Sequence, residues 1–237
     1  MKSSAFRAQS GFSLIELMVT LVVSLISILA MLTLYQSSGR NSAETKMGAF
    51  IDGQVQIGLL AADKLLQGAG YQPFDPSVSV ATYGADLLLI KDASIQEDGT
   101  VSGTALSKVA MDSAGSAGLV GQALIWHANN DGTHVYKGIY APSTGGLWQL
   151  TGQSMSWDST SWRKGTSLIA VPAVTDGPFQ NSGQVTIRLT AANCRPFGVN
   201  LGGLGGIYSV SLQAVGYAAS NASQRSQTCL INFRIPD

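Results

Sequence analysis

The sequence predicts an α+β fold: one long N-terminal helix, transmembrane and then amphipathic, packed on a mainly antiparallel β-sheet. Three observations carry that prediction. Residues Phe12 to Leu34 are apolar apart from a few hydroxyls and one carboxylate, Glu16. Beyond them Met47, Ile51, Val55, Leu59, Ala62 and Leu66 recur at steps of three or four, the period of a helix with one buried face. After Pro76 that period gives way to short strand-like segments separated by turn residues, with no amphipathic crossover helices of the kind a parallel sheet needs. The segments implied are 1–11, 12–34, 35–72 and a β-rich domain over 73–237.

Residues 1–11 contain Lys2 and Arg7 and no acid, which holds this end in the cytoplasm and sends the bulk of the chain across the membrane. Phe12–Leu34 would be about 35 Å long as a helix, enough to cross a hydrocarbon core of ~30 Å with modest tilt. Thr20, Ser24, Ser27 and Thr33 are small enough for close helix contact and can bond back to their own helix. Glu16 is the anomaly, because a carboxylate in hydrocarbon must be paired, neutralised or functional. A cut after Gly11 would create an α-amine at Phe12, but helical rise holds it about 6 Å from Glu16 of the same chain. The amine of a neighbouring copy or homologue is the better partner, and such a pair would set the axial register of packed helices. A signal anchor, or a secretory signal cut near Ser37, Ser38 and Gly39, is the other reading of this end.

Residues 35–72 read as the amphipathic continuation. Gly39, Gly48, Gly53 and Gly58 each weaken it, by up to ~1 kcal/mol at an interior site relative to Ala. Ser37–Asn41 is therefore expected either to bend or melt when helices pack, or to be an ordinary break between a membrane helix and a soluble one. Ala69-Gly70-Tyr71-Gln72-Pro73 closes the helix, with Gly70 suited to a left-handed cap and Pro73 preventing resumption.

The first strand is expected at Asp86–Lys91, followed by a turn at Glu97-Asp98-Gly99. Ser102–Gly118 is small and polar and reads as an exposed excursion. Ala123–Ala128 and Thr133–Tyr140 flank Asn129-Asn130-Asp131-Gly132, a hairpin signal. Further strands are expected at Leu147–Leu150, Ser167–Val171, Gln184–Leu189, Tyr208–Val215 and Thr228–Ile235.

Lys plus Arg equals Asp plus Glu at 14 each, and loss of Lys2 and Arg7 would leave 12 against 14, which argues against a basic nucleic-acid groove. Cys194 and Cys229 are the two cysteines, and both fall in the part placed outside the cytoplasm. A disulfide is expected there, since the spacing fits no compact metal site and no histidine is near; it would contribute on the order of 4 kcal/mol in the chain-entropy model. His127 and His134 should face one another across the hairpin, with no third metal ligand indicated. Asp131 with Asp98 or Asp86 lacks the calcium-loop pattern and is read as turn chemistry. The glycine-rich piece from Gly198 to Gly206 lacks a phosphate-loop arrangement and reads as a flexible loop. No hydrolase, zincin or P-loop motif occurs, so neither enzymatic activity nor a cofactor is expected. Trp157 and Trp162, in a polar segment ending at Arg163-Lys164, have two uses open to them: burial against the sheet edge, or docking of a partner subunit, glycan or single-stranded DNA.

The basic leader, Gly11, Phe12, and Glu16 inside the apolar stretch together resemble the type IV pilin and pseudopilin superfamily over roughly the first 34 residues. The Ala69-Gly70-Tyr71 element is similar to the PilW-type minor pilins, although fewer basic residues surround it. The resemblance implies cleavage after Gly11 and N-methylation of Phe12 by a prepilin peptidase, with Glu16 guiding assembly. It further implies a minor pilin that begins in the cell inner membrane, N-terminus cytoplasmic and C-terminal domain periplasmic, and then joins an extracellular pilus. Partners would be other major and minor pilins and the inner-membrane assembly platform. A minor pseudopilin of a type II secretion system is one alternative, and a pilus-tip adhesin or DNA-uptake module is another.

Overall fold

The computed structural model describes residues 13–72, 80–96, 98–130, 132–158, 161–170, 181–195, 205–217 and 223–234. Gly11, Phe12, Pro73, Glu97, Asp131, Val171, Ile235 and residues 198–204 of the glycine-rich piece lie outside them. Two compact units divide at Met47/Gly48, and helix α1, Leu14–Gln67, contributes to both.

In the first unit α1 is exposed on every side, and from Leu14 to Leu34 it is apolar on every side apart from Glu16 and a few hydroxyls, with Leu14, Tyr35 and Met31 among the most open residues. Thr20 bonds to the Glu16 carbonyl, Ser24 to Thr20, Ser27 to Val23 and Thr33 to Ala30. Each hydroxyl is thereby satisfied within the helix, as a bilayer interior requires. Residues 37–41 are helical, so there is no break at the junction.

In the second unit α1 buries Ile51, Val55, Leu59, Ala62 and Leu66, every member of the predicted periodic series except Met47, which lies in the first unit. Gly70, at φ +69°, ends the helical stretch, and its N–H donates to the His127 carbonyl. Two antiparallel sheets pack on the helix. Strands β1 (Leu87–Ile95), β2 (Val101–Ala105), β4 (Ala123–Asn130), β5 (Thr133–Tyr140), β6 (Leu147–Gly152) and β7 (Trp162–Ile169) form the larger, in the order β2-β1-β4-β5-β6-β7. Strands β3 (Leu119–Gly121), β8 (Val185–Cys194), β9 (Gly206–Val215) and β10 (Ser223–Cys229) form the smaller, in the order β10-β9-β8-β3. The helix face, Leu124 and Trp126 of β4, Val210 and Leu212 of β9, and Phe233 share one core.

Several segments depart from the sequence pattern. Ser102–Gly118 is largely exposed, as expected, but it is regular structure: it holds most of β2, then helix α2 (Lys108–Ala114), capped by the Ser107 hydroxyl and ended by Gly115 at φ +50°. Its single apolar anchor, Met111, is fully buried, and its small residues diluted any period. Strand β7 begins at Trp162 rather than Ser167, because edge residues Arg163–Thr166 are exposed and carry no alternation. Strand β10 is polar throughout and ends where the expected strand began. Its paired register with β9 is unbroken, whereas the apolar Leu230 and Phe233 beyond it are buried in the turn that follows.

Side-chain bonds fasten the polar strand β10, and the turn after it, to α1 and the turn that closes it. Thr228 donates to the Asp63 carboxylate, Asn232 to the Ala69 carbonyl at 2.8 Å, and Gln224 to the Asp52 carbonyl at 3.5 Å. Asp52 Oδ1 also accepts the Tyr217 N–H at 2.7 Å. Bonds of this kind let a strand without apolar side chains hold a fixed place against the helix.

The helix glycines separate by surroundings. A Cβ at Gly58 would collide with the Ile169 side chain and the Leu168 carbonyl, whereas one at Gly53 meets nothing within 4 Å. Gly53→Ala should therefore raise stability by up to ~1 kcal/mol. Gly58→Ala should lower it by ~1–3 kcal/mol through overpacking against backbone. Urea unfolding of the full chain in detergent measures both, and equal shifts would remove the distinction.

Candidate functional site

The N-terminal segment carries the first candidate site. Ser13 immediately precedes α1, and its carbonyl accepts the N–H groups of Glu16 at 3.0 Å and Leu17 at 3.2 Å. Glu16 thus lies in the first helical turn with its side chain exposed, among Ile15, Leu17 and Val19, which are all more than half exposed. The apolar window of this helix has a mean hydropathy of 2.6 and is 0 % buried. No ion pair reaches Glu16 within the described residues, so any pairing partner must come from the chain's own N-terminus or from outside the chain. The carboxylate at the N-terminal end also lies where the helix dipole favours negative charge.

Cys194 and Cys229 form a disulfide, with their Cα atoms 5.6 Å apart. It joins the ends of β8 and β10 over β9, where a side chain at Gly206 would meet Cys229 Sγ at 3.1 Å and run into the Leu230 carbonyl. The bridge therefore needs both the cysteines and a glycine beneath them. That requirement could not be read from the cysteine spacing.

Trp162 follows the burial reading of the two that its sequence context allowed. It is fully buried, donates its indole N–H to the Ser156 carbonyl at 2.8 Å, and lies against Gly152. It is no exposed docking residue. Trp157 is half-buried, packs on Trp162 with ring centroids 6.2 Å apart, and donates to the Ser102 carbonyl of β2 at 3.1 Å. With Ile90, Ile95, Ile125, Tyr140 and Leu150, Trp162 builds a second core on the sheet face turned away from α1. A helix covers only one face of a sheet, and residues 153–158 together with these aromatics cover the other.

His127 and His134 meet as the hairpin register predicts, with His127 Nε2 and His134 Nδ1 2.8 Å apart. Asp86, just before β1, accepts at Oδ1 from His127 Nδ1 at 3.0 Å, and its Oδ2 accepts the Thr82 N–H at 2.9 Å. The His127–His134 contact was legible in the hairpin; the Asp86 contact, made across β1 and β4, was not. Asp98 serves the turn: its carboxylate accepts the Thr100 N–H at 2.8 Å, which holds its pKa below the ordinary value. Among the described residues no three His, Cys, Asp or Glu side chains converge as a metal site.

Residues 6–32 match the family model of the prokaryotic N-terminal methylation motif. No curated protein and no solved structure matches the chain. The motif covers the N-terminal segment, which on this evidence is type IV prepilin-like, and does not extend into the β-rich unit.

Proposed function

We propose that this chain is a minor pilin. In this reading a prepilin peptidase cuts it after Gly11 and methylates Phe12, and an inner-membrane assembly platform passes it from the bilayer into a type IV pilus among other pilins. The single observation that carries the reading is Glu16, the one carboxylate in the exposed apolar stretch of α1 up to Leu34, four residues beyond the expected new N-terminus. Leaving lipid for a fibre costs little on that helix, because the apolar surface given up by lipid is reburied among other helices. The methylation motif at residues 6–32 supports the processing step. The Cys194–Cys229 disulfide supports a periplasmic and then extracellular β-rich unit, since such bonds persist in oxidising compartments. The size of the unit from Gly48 to Asp237 suits a less abundant subunit better than a repeating one.

Intact-mass and N-terminal peptide analysis of the membrane-associated protein, with and without the organism's prepilin peptidase, tests the reading. The expected product begins at methylated Phe12 only when the peptidase is present. An intact mature protein beginning elsewhere, or cut after the apolar run, overturns it.

A further inference from the structure

The far end of the outer sheet face is polar where the rest is apolar. Along β4 the outward positions run Ala123, Ile125, His127 and Asn129, and across the hairpin His127 sits opposite Tyr136 and Asn129 opposite His134. The two histidines are thus diagonal neighbours on one face, held by a strand register unbroken from Ala123↔Tyr140 to Asn130↔Thr133. Their ring centroids are 5.0 Å apart with planes inclined by 22°, so the 2.8 Å contact joins rings that lie nearly in one plane. Tyr136 packs on His127, also at 5.0 Å.

Asp86 fixes the chemistry of the pair. A carboxylate only accepts, so His127 Nδ1 carries a proton, and in the neutral imidazole Nε2 then presents its lone pair toward His134. A carboxylate on the second nitrogen of a ligating histidine orients the ring and raises its basicity, the arrangement that supports histidine ligands in metal sites. Asp86 is itself held by Thr82, and the exposures of His127 and Asp86 are only 12 % and 14 %. His134 is exposed, so it can turn and leaves coordination positions open to water.

We propose that His127 and His134 form a two-histidine site for a square-planar or tetragonal divalent ion, Cu2+ before Ni2+, with Asp86 as the carboxylate behind His127. Two nitrogens bound at right angles with bonds of ~2.0 Å stand about 2.8 Å apart, whereas a tetrahedral ion spreads them to about 3.3 Å. The spacing found, 2.8 Å, is that of the hydrogen bond between the rings, and it already brings both nitrogens within reach of one ion once His134 tips. On binding, the ion takes the place of the hydrogen between the rings: His134 adopts its other tautomer, with the proton on Nε2, and tips so that both lone pairs converge. No proton is released overall. Imidazole ligands and the order of divalent affinities both favour Cu2+. Water completes the coordination, consistent with the absence of a third converging ligand among the described residues.

The test titrates the full chain in detergent with Cu2+ and reads affinity by calorimetry and ligand number by electron paramagnetic resonance. The expected result is one site with two equatorial imidazole nitrogens. His134→Ala, at an exposed position, should weaken it roughly tenfold or more by removing chelation while leaving the circular dichroism spectrum unchanged. Asp86→Asn should weaken it by ~10–100-fold with two nitrogens retained. Binding of Cu2+ that is the same in wild type and His134→Ala, a single-nitrogen signal, or no binding above that of the His134→Ala protein overturns the proposal.

Discussion

Trp162→Ala is expected to destabilise the β-rich unit by ~3–5 kcal/mol, the range for emptying a fully buried large aromatic site. Its indole is wholly enclosed, sits against Gly152 where no side chain intervenes, and satisfies its N–H on Ser156, so the loss combines packing with an orphaned carbonyl. Neighbouring walls offer little collapse, because Tyr140, Leu150 and Ile125 are fixed in paired strands. Trp157→Ala removes a half-buried ring and one 3.1 Å bond to β2, and should cost distinctly less. Urea unfolding of both variants separates the two roles the sequence left open. A Trp162→Ala protein as stable as wild type would mean that the second core does not depend on this residue, and would return the tryptophan to the docking reading.

Trp162 also marks how far the sequence could be read. The helix and its buried face follow from a period of three to four, since Ile51, Val55, Leu59, Ala62 and Leu66 depend on local geometry alone, and each is buried. The β4–β5 hairpin follows from turn chemistry, and Gly132 has the positive φ, +85°, that the turn needs. What stayed illegible was decided between distant elements. Strand β10 has no apolar alternation, and hydrogen bonds from Gln224 to Asp52 and from Thr228 to Asp63 hold it against α1 instead. A single sheet was expected under the helix, whereas there are two, and the larger one also buries its second face, where Trp162 takes the buried of the two uses its sequence left open. Of the candidate site, Glu16 and the methylation motif were readable because a charge in an apolar run is a local anomaly. Asp86 joined His127 only through the pairing of β1 with β4.

Glu16→Ala should lower incorporation into fibres at least tenfold while leaving membrane insertion intact. Insertion is not impaired, since an ionised residue costs ~2.5–3.5 kcal/mol at a span centre and alanine removes that cost. Assembly is impaired because, on the proposed function, the methylated amine of Phe12 on a neighbour would be left in an apolar fibre core without its counter-charge. Breaking a buried pair by removing one partner costs ~3–5 kcal/mol, more than the ~1.4 kcal/mol that a tenfold effect requires. Glu16→Gln keeps the shape and some hydrogen bonding but not the charge, so it should fall nearer Ala than wild type if charge sets the register. Quantifying each variant in sheared fibres against its membrane pool separates the two steps. Equal incorporation of Glu16→Ala and wild type would sink the register argument. Retention by Glu16→Gln with loss by Glu16→Ala would transfer that role from charge to hydrogen bonding, and the apolar helix would then align its neighbours by polar geometry alone.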